Sequence, residues 1–442
     1  MAVKVGMVSL GCAKNQINSE QMLFLIGKSG YEITTELSNM DAVVINTCGF
    51  IESAKSEAID TILEFAALKR EGRLKRIIVA GCLVQRYGAE IPKEIPEIDG
   101  LIGCGSFDEI ITALDRAFAG EMPCLFSDIS APVSETERII SSGPGWAYLK
   151  IAEGCDNRCA YCVIPSLRGA YRSRPIERII EEAEHLASTG IKELILVAQD
   201  TTRYGTDFSG KRLIAELLRR LKGINGIKWI RLHYLYPNEI DDELIDEIAT
   251  NDKVVKYLDI PIQHISDNIL CAMNRRGTGQ KIRELLIKLR DKIPGLVLRT
   301  SIITGLPGEG EEEFESLCRF LLEQKIERAG VFVYSPEEGT PAESMPDRPS
   351  TEVAEHRAEL ISDMQSRIMD EYNSTRVGKT LKILCEGYDR IAEYYYGRSE
   401  ADSPDVDGKV FFLGDKIVPG EFVWVKITDI LDGDLIGEKS EM

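Results

Sequence analysis

The sequence predicts an α/β protein with a doubly wound parallel sheet, then a partial (βα)6 barrel, then a small antiparallel β-barrel of OB-like type. Up to about residue 334, short apolar runs alternate with helical patterns, which is typical of parallel sheets covered by helices. From about residue 374, short β runs are separated by Gly, Pro and Asp turns, which indicates a small all-β barrel. The predicted domain boundaries are 1–138, 139–372 and 373–442.

In the first segment, three cysteines each follow a predicted strand. Cys12, Cys48 and Cys82 come directly after strands predicted near 3–10, 42–46 and 76–80. All carboxyl ends of an open parallel sheet lie at one edge, where ligands bind, so the three thiols are expected to converge. Spacing alone leaves open that they are incidental, semi-buried cysteines. Cys104 ends a fourth predicted strand (101–103), and we interpret it as a neighbour of the site rather than a fourth ligand. The first helix is predicted from about Ser19 to Ser29, and Cys124 is expected in a loop.

The second segment carries a tighter group of cysteines. Its six predicted strands are 147–151, 193–198, 228–232, 257–259, 296–303 and 330–334. Barrels of this kind place their active sites at the carboxyl ends of the strands, and Cys155, Cys159 and Cys162 follow the first strand. A [4Fe–4S] cube held by three thiolates keeps one iron open, which S-adenosylmethionine can chelate. Zinc is the alternative, but it normally takes a fourth ligand, and no histidine has the spacing for one. The triplet resembles the signature of the radical S-adenosylmethionine enzymes.

Other residues at the predicted barrel mouth are candidates for binding S-adenosylmethionine. Gly305, Pro307 and Gly308 follow a strand and open a helix, where backbone approaches a ligand closely, although a plain strand-to-helix connection gives the same pattern. We add Gln263, at the end of another predicted strand, and Tyr161, within the cysteine triplet. No catalytic side chain is identifiable from the sequence.

Two further groups near the predicted mouth have two interpretations each. His264 is either a polar group lining the mouth or, as we favour, a structural histidine. Arg168, Arg172 and Arg174 follow the cysteine triplet, and they either hold a carboxylate or form a solvated surface.

Charge and composition limit the functional classes. The 442 residues carry a net charge of −19 and include 11 cysteines, with no long apolar run and no signal-peptide pattern. We therefore predict a cytoplasmic protein without a membrane segment or disulfides. Residues 373–442 contain 9 Lys and Arg against 14 Asp and Glu, which disfavours a nucleic-acid substrate and favours a basic protein partner.

Together these features resemble the methylthiotransferase family over the whole chain and in the same domain order. The most specific stretches are Ser9–Asn15, Asn46–Phe50, Ala80–Cys82 and the cysteine triplet. The resemblance implies a central radical S-adenosylmethionine domain and a C-terminal TRAM domain. It also implies that Cys12, Cys48 and Cys82 hold an auxiliary [4Fe–4S] cluster, while Cys155, Cys159 and Cys162 hold the radical cluster.

Within that family, three stretches resemble the branch that modifies small-subunit ribosomal protein S-twelve. They are Ile164–Gly169, Ala198–Thr202 and Leu258–His264. The resemblance implies methylthiolation of an aspartate β-carbon with two molecules of S-adenosylmethionine, an external electron donor and a sulfur source. The alternative is methylthiolation of an adenosine in tRNA, and a non-enzymatic cluster carrier is a third hypothesis.

Overall fold

The computed structural model describes residues 2–441, which divide into two compact units. The first contains the residues up to Ser141 together with Ala152–Arg174 and Ser335–Glu343. The second contains Ser142–Ile151, Pro175–Tyr334 and the residues from Ser344 onward. The units do not coincide with the three segments expected from the sequence, and the boundaries at 138/139 and 372/373 stay predictions.

The N-terminal part of the first unit is one parallel sheet of six strands in the order β2-β1-β3-β4-β5-β6. Its strands are β1 (Lys4–Ser9), β2 (Glu32–Ile33), β3 (Ala42–Thr47), β4 (Arg76–Gly81), β5 (Gly100–Ile102) and β6 (Cys124–Leu125). Its helices are α1 (Ala13–Lys28), α2 (Glu52–Arg70), α3 (Cys82–Tyr87), α4 (Ile91–Glu94) and α5 (Ile110–Phe118).

Helices cover both faces of this sheet, which confirms the doubly wound prediction. In β3, Val43 and Ile45 pack into one core with α2, α3 and α4. The alternate residues Ala42 and Val44 pack into a second core with α1 and α5. Successive side chains of a strand point to opposite faces, so an unbroken apolar run is the expected sequence for a strand buried on both sides.

Three details of the first unit differ from the sequence-based expectation. Helix α1 begins at Ala13 rather than near Ser19, because its first turns bury polar side chains and so lack the apolar periodicity of a helix. The edge strands β2 and β6 were not predicted, and each has only two residues. Cys124, expected in a loop, lies in β6.

The rest of the chain contributes a second parallel sheet and a closed barrel. Its strands are β7 (Trp146–Lys150), β8 (Ala152–Glu153), β9 (Arg172–Ser173), β10 (Glu193–Val197), β11 (Trp229–Leu232), β12 (Val254–Asp259), β13 (Val297–Thr304), β14 (Arg328–Val333), β15 (Thr380–Asp389), β16 (Tyr394–Arg398), β17 (Val410–Leu413), β18 (Phe422–Leu431) and β19 (Asp434–Lys439). Its helices are α6 (Ile164–Arg168), α7 (Ile176–Ser188), α8 (Thr206–Ser209), α9 (Ile214–Lys222), α10 (Asp242–Thr250), α11 (Asp267–Ala272), α12 (Gly279–Lys292), α13 (Glu311–Gln324) and α14 (Thr351–Ser374).

In the second unit, six parallel strands form an open sheet in the order β14-β13-β12-β11-β10-β7, as a partial (βα)6 barrel requires. The C-terminal strands close into a barrel in the order β15-β16-β17-β19-β18. The barrel is antiparallel as predicted, except that β17 pairs with β19 in parallel. Within residues 2–441 no helix is long and apolar enough to cross a lipid bilayer.

A buried ionic network joins the C-terminal barrel to the sheet of the second unit. Glu193 in β10 accepts hydrogen bonds from Arg231 in β11 at 2.7 Å and from Arg398 in β16 at 2.8 Å. All three side chains are at most 2 % exposed. Burial opposes ionisation, but Arg398 and Arg231 outweigh it and lower the pKa of Glu193. Removing one partner leaves a buried charge uncompensated.

We expect Arg398→Met to lower the free energy of unfolding by about 3–5 kcal/mol, because Glu193 then keeps only one of its two cations. Urea titration followed by circular dichroism measures the change. The control is Arg178→Ala, which removes an exposed pair with Glu181 and should change stability by about 0.5 kcal/mol or less. Equal effects of the two substitutions would contradict the role given to the network.

Candidate iron–sulfur and S-adenosylmethionine site

Three cysteines of the first unit follow three parallel strands at the carboxyl edge of the sheet. Cys12 is the residue just before α1 and follows β1, while Cys82 is the first residue of α3 and follows β4. Cys48 follows β3 directly. The strand order changes direction between β1 and β3, and such a switch point is where open α/β sheets bind ligands.

Two glycines let the backbones of these turns approach one another. A Cβ on Gly11 would lie 2.7 Å from Cys48 Cβ, and this residue has a left-handed φ of +88°. A Cβ on Gly49 would lie 2.8 Å from the backbone nitrogen of Leu83 and 2.9 Å from the carbonyl carbon of Cys82. Any larger residue at these positions would force the cysteine-bearing turns apart.

Asn15, in the first turns of α1, holds two of the turns together through its side chain. Its Nδ2 donates to the carbonyl oxygens of Leu10 at 3.1 Å and Thr47 at 2.9 Å. Its Oδ1 lies 3.9 Å from Cys82 Sγ and accepts a hydrogen bond from Arg168. The sequence motif contained Asn15, but spacing gave no sign that a polar residue at a helix start fixes the site.

The thiols of this edge differ in their electrostatic surroundings. The thiol of Cys104 donates to Cys82 Sγ over 3.8 Å, and with the nearby charge of Arg168 this lowers the pKa of Cys82 to about 6, although burial acts against it. Burial, together with the charges of Cys82 and Cys12, raises the pKa of Cys48 to about 12. Cys82 is thus more readily held as the thiolate than Cys48, and the thiolate is the form that binds metals.

Cys155, Cys159 and Cys162 lie in a loop that also belongs to the first unit. The short antiparallel pair of β8 with β9 closes the base of this loop. The backbone N–H of Cys155 donates to Gly169 O at 3.1 Å, and that of Cys162 donates to Cys159 O at 3.0 Å. All three side chains are partly exposed. The loop thus presents three thiols on a backbone that its own hydrogen bonds hold.

The loop packs beside the turn that carries Cys82. Val163, next to Cys162, and Leu167 of α6 form one apolar cluster with Cys82, bordered by Phe50 and Cys104. Within residues 2–441 no three His, Cys, Asp or Glu side chains are arranged to hold a metal ion. In a cube each thiolate binds a different iron, so cube ligands stand farther apart than the ligands of one ion. Assignment of the six cysteines as ligands therefore stays a prediction.

Two of the three arginines after the triplet are buried, so this group is not a solvated surface as a whole. Arg168 and Arg174 are buried, at 3 % and 6 % exposure. Arg174 makes a bidentate hydrogen bond to Glu135, and Arg168 lies 3.4 Å from Glu153, so both bind carboxylates of the chain itself. Arg172 donates to the backbone oxygens of Arg168 and Ala170.

The predicted S-adenosylmethionine residues fall in both units. Tyr161 lies in the cysteine loop of the first unit, while Gln263, Gly305, Pro307 and Gly308 belong to the second. Gln263 follows β12 with a left-handed φ of 69° and bridges to Ile302 of β13. The turn with the two glycines joins β13 to α13. The structure leaves the assignment of these five residues as ligands a prediction.

His264 and the turn after β13 form a buried polar group in the second unit. A Cβ on Gly305 would lie 2.4 Å from that of Ala354, so this glycine admits helix α14. Glu309 accepts a hydrogen bond from the Gly305 N–H at 3.0 Å. His264 Nδ1 accepts one from the backbone of Ser266, and burial lowers its pKa to about 4. The histidine is therefore neutral and anchored on one side, in keeping with a structural role.

We expect Gly49→Ala to displace the start of α3 and so to weaken iron binding at Cys82, because its Cβ would overlap backbone atoms that cannot rotate away. Iron per chain after anaerobic reconstitution should fall from about eight, as two four-iron clusters give, towards about four. Gly223→Ala is a matched control, since its Cβ would meet only Arg220 O at 3.3 Å. Unchanged iron content in Gly49→Ala would contradict the proposed geometry.

Three family models match this chain. The radical SAM superfamily model covers residues 149–321, the model of uncharacterized protein family UPF0004 covers 4–103, and the TRAM domain model covers 377–439. Together they account for both cysteine groups and for the C-terminal barrel.

Solved structures support the fold. The chain is similar to the radical S-adenosylmethionine methyltransferase TsrM from Kitasatospora setae, solved with cobalamin and a [4Fe–4S] cluster bound, with a TM-score of 0.59 and 14 % identity over 78 % of this chain and 77 % of that one. It is also similar to the cobalamin-dependent radical enzyme OxsB, with a TM-score of 0.51 and 13 % identity over 84 % of this chain and 56 % of that one. At such identities the likeness establishes the fold alone.

Curated relatives match along the whole chain. The ribosomal protein uS12 methylthiotransferase RimO of Acetivibrio thermocellus is 49 % identical over 99 % of this chain and 98 % of its own length. The protein of the same name from Pelotomaculum thermopropionicum is 49 % identical over 99 % of each chain. The chain therefore belongs to the RimO family of radical S-adenosylmethionine methylthiotransferases.

Proposed function

We propose that this protein attaches a methylthio group to the β-carbon of an aspartate in small-subunit ribosomal protein uS12, using two [4Fe–4S] clusters and two molecules of S-adenosylmethionine. The proposal rests on the 49 % sequence identity to uS12 methylthiotransferases over 99 % of the chain. Two three-cysteine groups within one compact unit support it, because the reaction needs one site for radical generation and one for sulfur delivery.

The residues present fit the two clusters. Cys155, Cys159 and Cys162 would hold one cube, and Cys12, Cys48 and Cys82 the other, each leaving one iron without a protein ligand. When bound, the clusters and S-adenosylmethionine supply the one-electron chemistry that removes hydrogen from an unactivated carbon and delivers the methylthio group. No side chain has the reactivity for either task.

The chain itself contributes position, charge compensation and shielding. Asn15 and the two close-approach glycines fix the turns that carry Cys12, Cys48 and Cys82. Val163 and Leu167 cover the buried Cys82 with apolar surface. This apolar surface keeps water from the Cys82 side of the site, which favours radical transfer to one chosen carbon.

The same proposal includes the partners. The excess of acidic residues in the C-terminal segment suits a basic ribosomal protein better than the phosphates of RNA. An external electron donor must reduce the radical cluster, and a sulfur source must renew the transferred sulfur. The predicted cytoplasmic location follows from the substrate, because ribosomes are assembled in that compartment.

We expect anaerobically reconstituted enzyme, given a reductant and S-adenosylmethionine, to add a methylthio group to uS12 or to its aspartate-bearing loop peptide. Mass spectrometry measures the gain, and fragmentation assigns it to the aspartate. Unmodified tRNA, treated in parallel, should gain no mass. A gain on tRNA alone would overturn the proposal in favour of adenosine modification.

Replacing either group of three cysteines by alanine should abolish a different step of the reaction. The triple variant Cys12→Ala, Cys48→Ala, Cys82→Ala should still release 5′-deoxyadenosine from S-adenosylmethionine but form no methylthio product, because sulfur delivery is lost. The variant Cys155→Ala, Cys159→Ala, Cys162→Ala should release no deoxyadenosine. Liquid chromatography of quenched reactions measures both products. Formation of the methylthio product by the first variant at the parent's rate would contradict the separate roles given to the two cysteine groups. If the parent enzyme also released no deoxyadenosine, the protein would instead be a cluster carrier.

A further inference from the structure

A buried arginine contacts the sulfur of Cys82. Arg168 is the last residue of α6 and is 3 % exposed. Its Nη2 donates to Cys82 Sγ at 3.3 Å and also to Asn15 Oδ1. Its Nη1 donates to Asn18 Oδ1 at 3.1 Å and lies 3.4 Å from Glu153 Oε2. The guanidinium therefore lies between the helix that follows the cysteine triplet and the turn that carries Cys82.

The packing around this guanidinium fixes its direction. Its carbon lies 5.8 Å from the ring centroid of Phe107, in a cation–π contact. The adjacent Leu167 packs against Cys82 itself. An arginine presents its donors in a planar fork. Nη1 is directed to Asn18 and Glu153, and one hydrogen of Nη2 to Asn15, so the second hydrogen of Nη2 points towards the Cys82 sulfur.

A positive charge at this point has a consequence for any cluster that Cys82 holds. Three thiolates bring negative charge into a partly buried edge, and reduction adds one more electron to it. Hydrogen bonds to ligand sulfurs and the net charge nearby are two of the factors that set the potential of an iron–sulfur cluster. A fixed cation that donates to a ligand sulfur favours the reduced cluster.

We propose that Arg168 is a positioning residue for the auxiliary cluster, whose guanidinium orients the Cys82 sulfur and raises the reduction potential of the cluster. The inference rests on the proposed function in one respect, namely that Cys82 is a cluster ligand. It goes further in assigning the tuning of that cluster to a residue six positions beyond Cys162, so that the segment with the radical cluster's cysteines also controls the other cluster.

The test uses the full-length chain with Cys155→Ala, Cys159→Ala and Cys162→Ala as background, so that only the auxiliary cluster is present. In this background we compare Arg168→Met, which removes the charge, with Arg168→Lys, which keeps the charge but loses the fork. Arg174→Lys is the matched control, because Arg174 is also buried after the cysteine triplet and binds the carboxylate of Glu135. The readouts are iron per chain, the far-ultraviolet circular dichroism spectrum, and the midpoint potential from a redox titration followed by electron paramagnetic resonance.

We expect the background and Arg174→Lys to hold about four irons with the same midpoint potential. Arg168→Met should shift the potential to a lower value, or lose the cluster with its fold intact, and Arg168→Lys should give a smaller shift in the same direction. Unchanged potential and unchanged iron in both Arg168 variants would overturn the proposal. Absence of iron in the background itself would overturn the ligand assignment, which is a different failure.

Discussion

The close approach of three backbone turns at one sheet edge is the constraint on which the site depends. Parallel strands bring the turns after β1, β3 and β4 to that edge. Gly11 and Gly49 let these turns pack so closely that a Cβ at either position would lie less than 3 Å from the neighbouring turn. Three cysteines far apart in sequence thereby become neighbours. The same edge also receives the loop with Cys155, Cys159 and Cys162, through the apolar cluster around Cys82.

Buried charge is distributed differently in the two units. In the second unit, Glu193 is bound by two arginines, and this complete pairing joins the C-terminal barrel to the sheet. In the first unit, Arg168 has one carboxylate at 3.4 Å and directs another donor to a thiol. In the network of the second unit the charge of Glu193 is compensated by the two arginines, so the network has a structural role. The arrangement in the first unit instead directs one donor of the arginine to the sulfur of Cys82.

Much of this architecture could be predicted from the sequence, because strands buried on both faces are unbroken apolar runs. Such runs placed Cys48 and Cys82 after strands, as the structure has them. The start of α1 was wrong by about six residues because Asn15, Asn18 and Glu20 are buried polar side chains, and apolar periodicity does not detect a helix face that lines a polar site.

Sequence patterns did not predict the contacts between residues that are far apart in the chain. Arg168 and Asn15 are 153 positions apart, and nothing in the sequence separated an arginine that binds a carboxylate from one on the surface. The parallel pairing of β17 with β19 was missed for a similar reason, since strand order in a small barrel is set by closure rather than by composition.

The composition of the first unit has a consequence for how such proteins are recombined. Ala152–Arg174 belongs to the same compact unit as the N-terminal sheet, although the chain builds β7 of the other unit in between. A chimera that exchanges only the residues before 139 would pair a foreign Asn15 and Cys82 with a resident Arg168. A chimera between relatives should therefore take the N-terminal sheet and Ala152–Arg174 from the same parent, because Arg168 contacts Asn15 and Cys82.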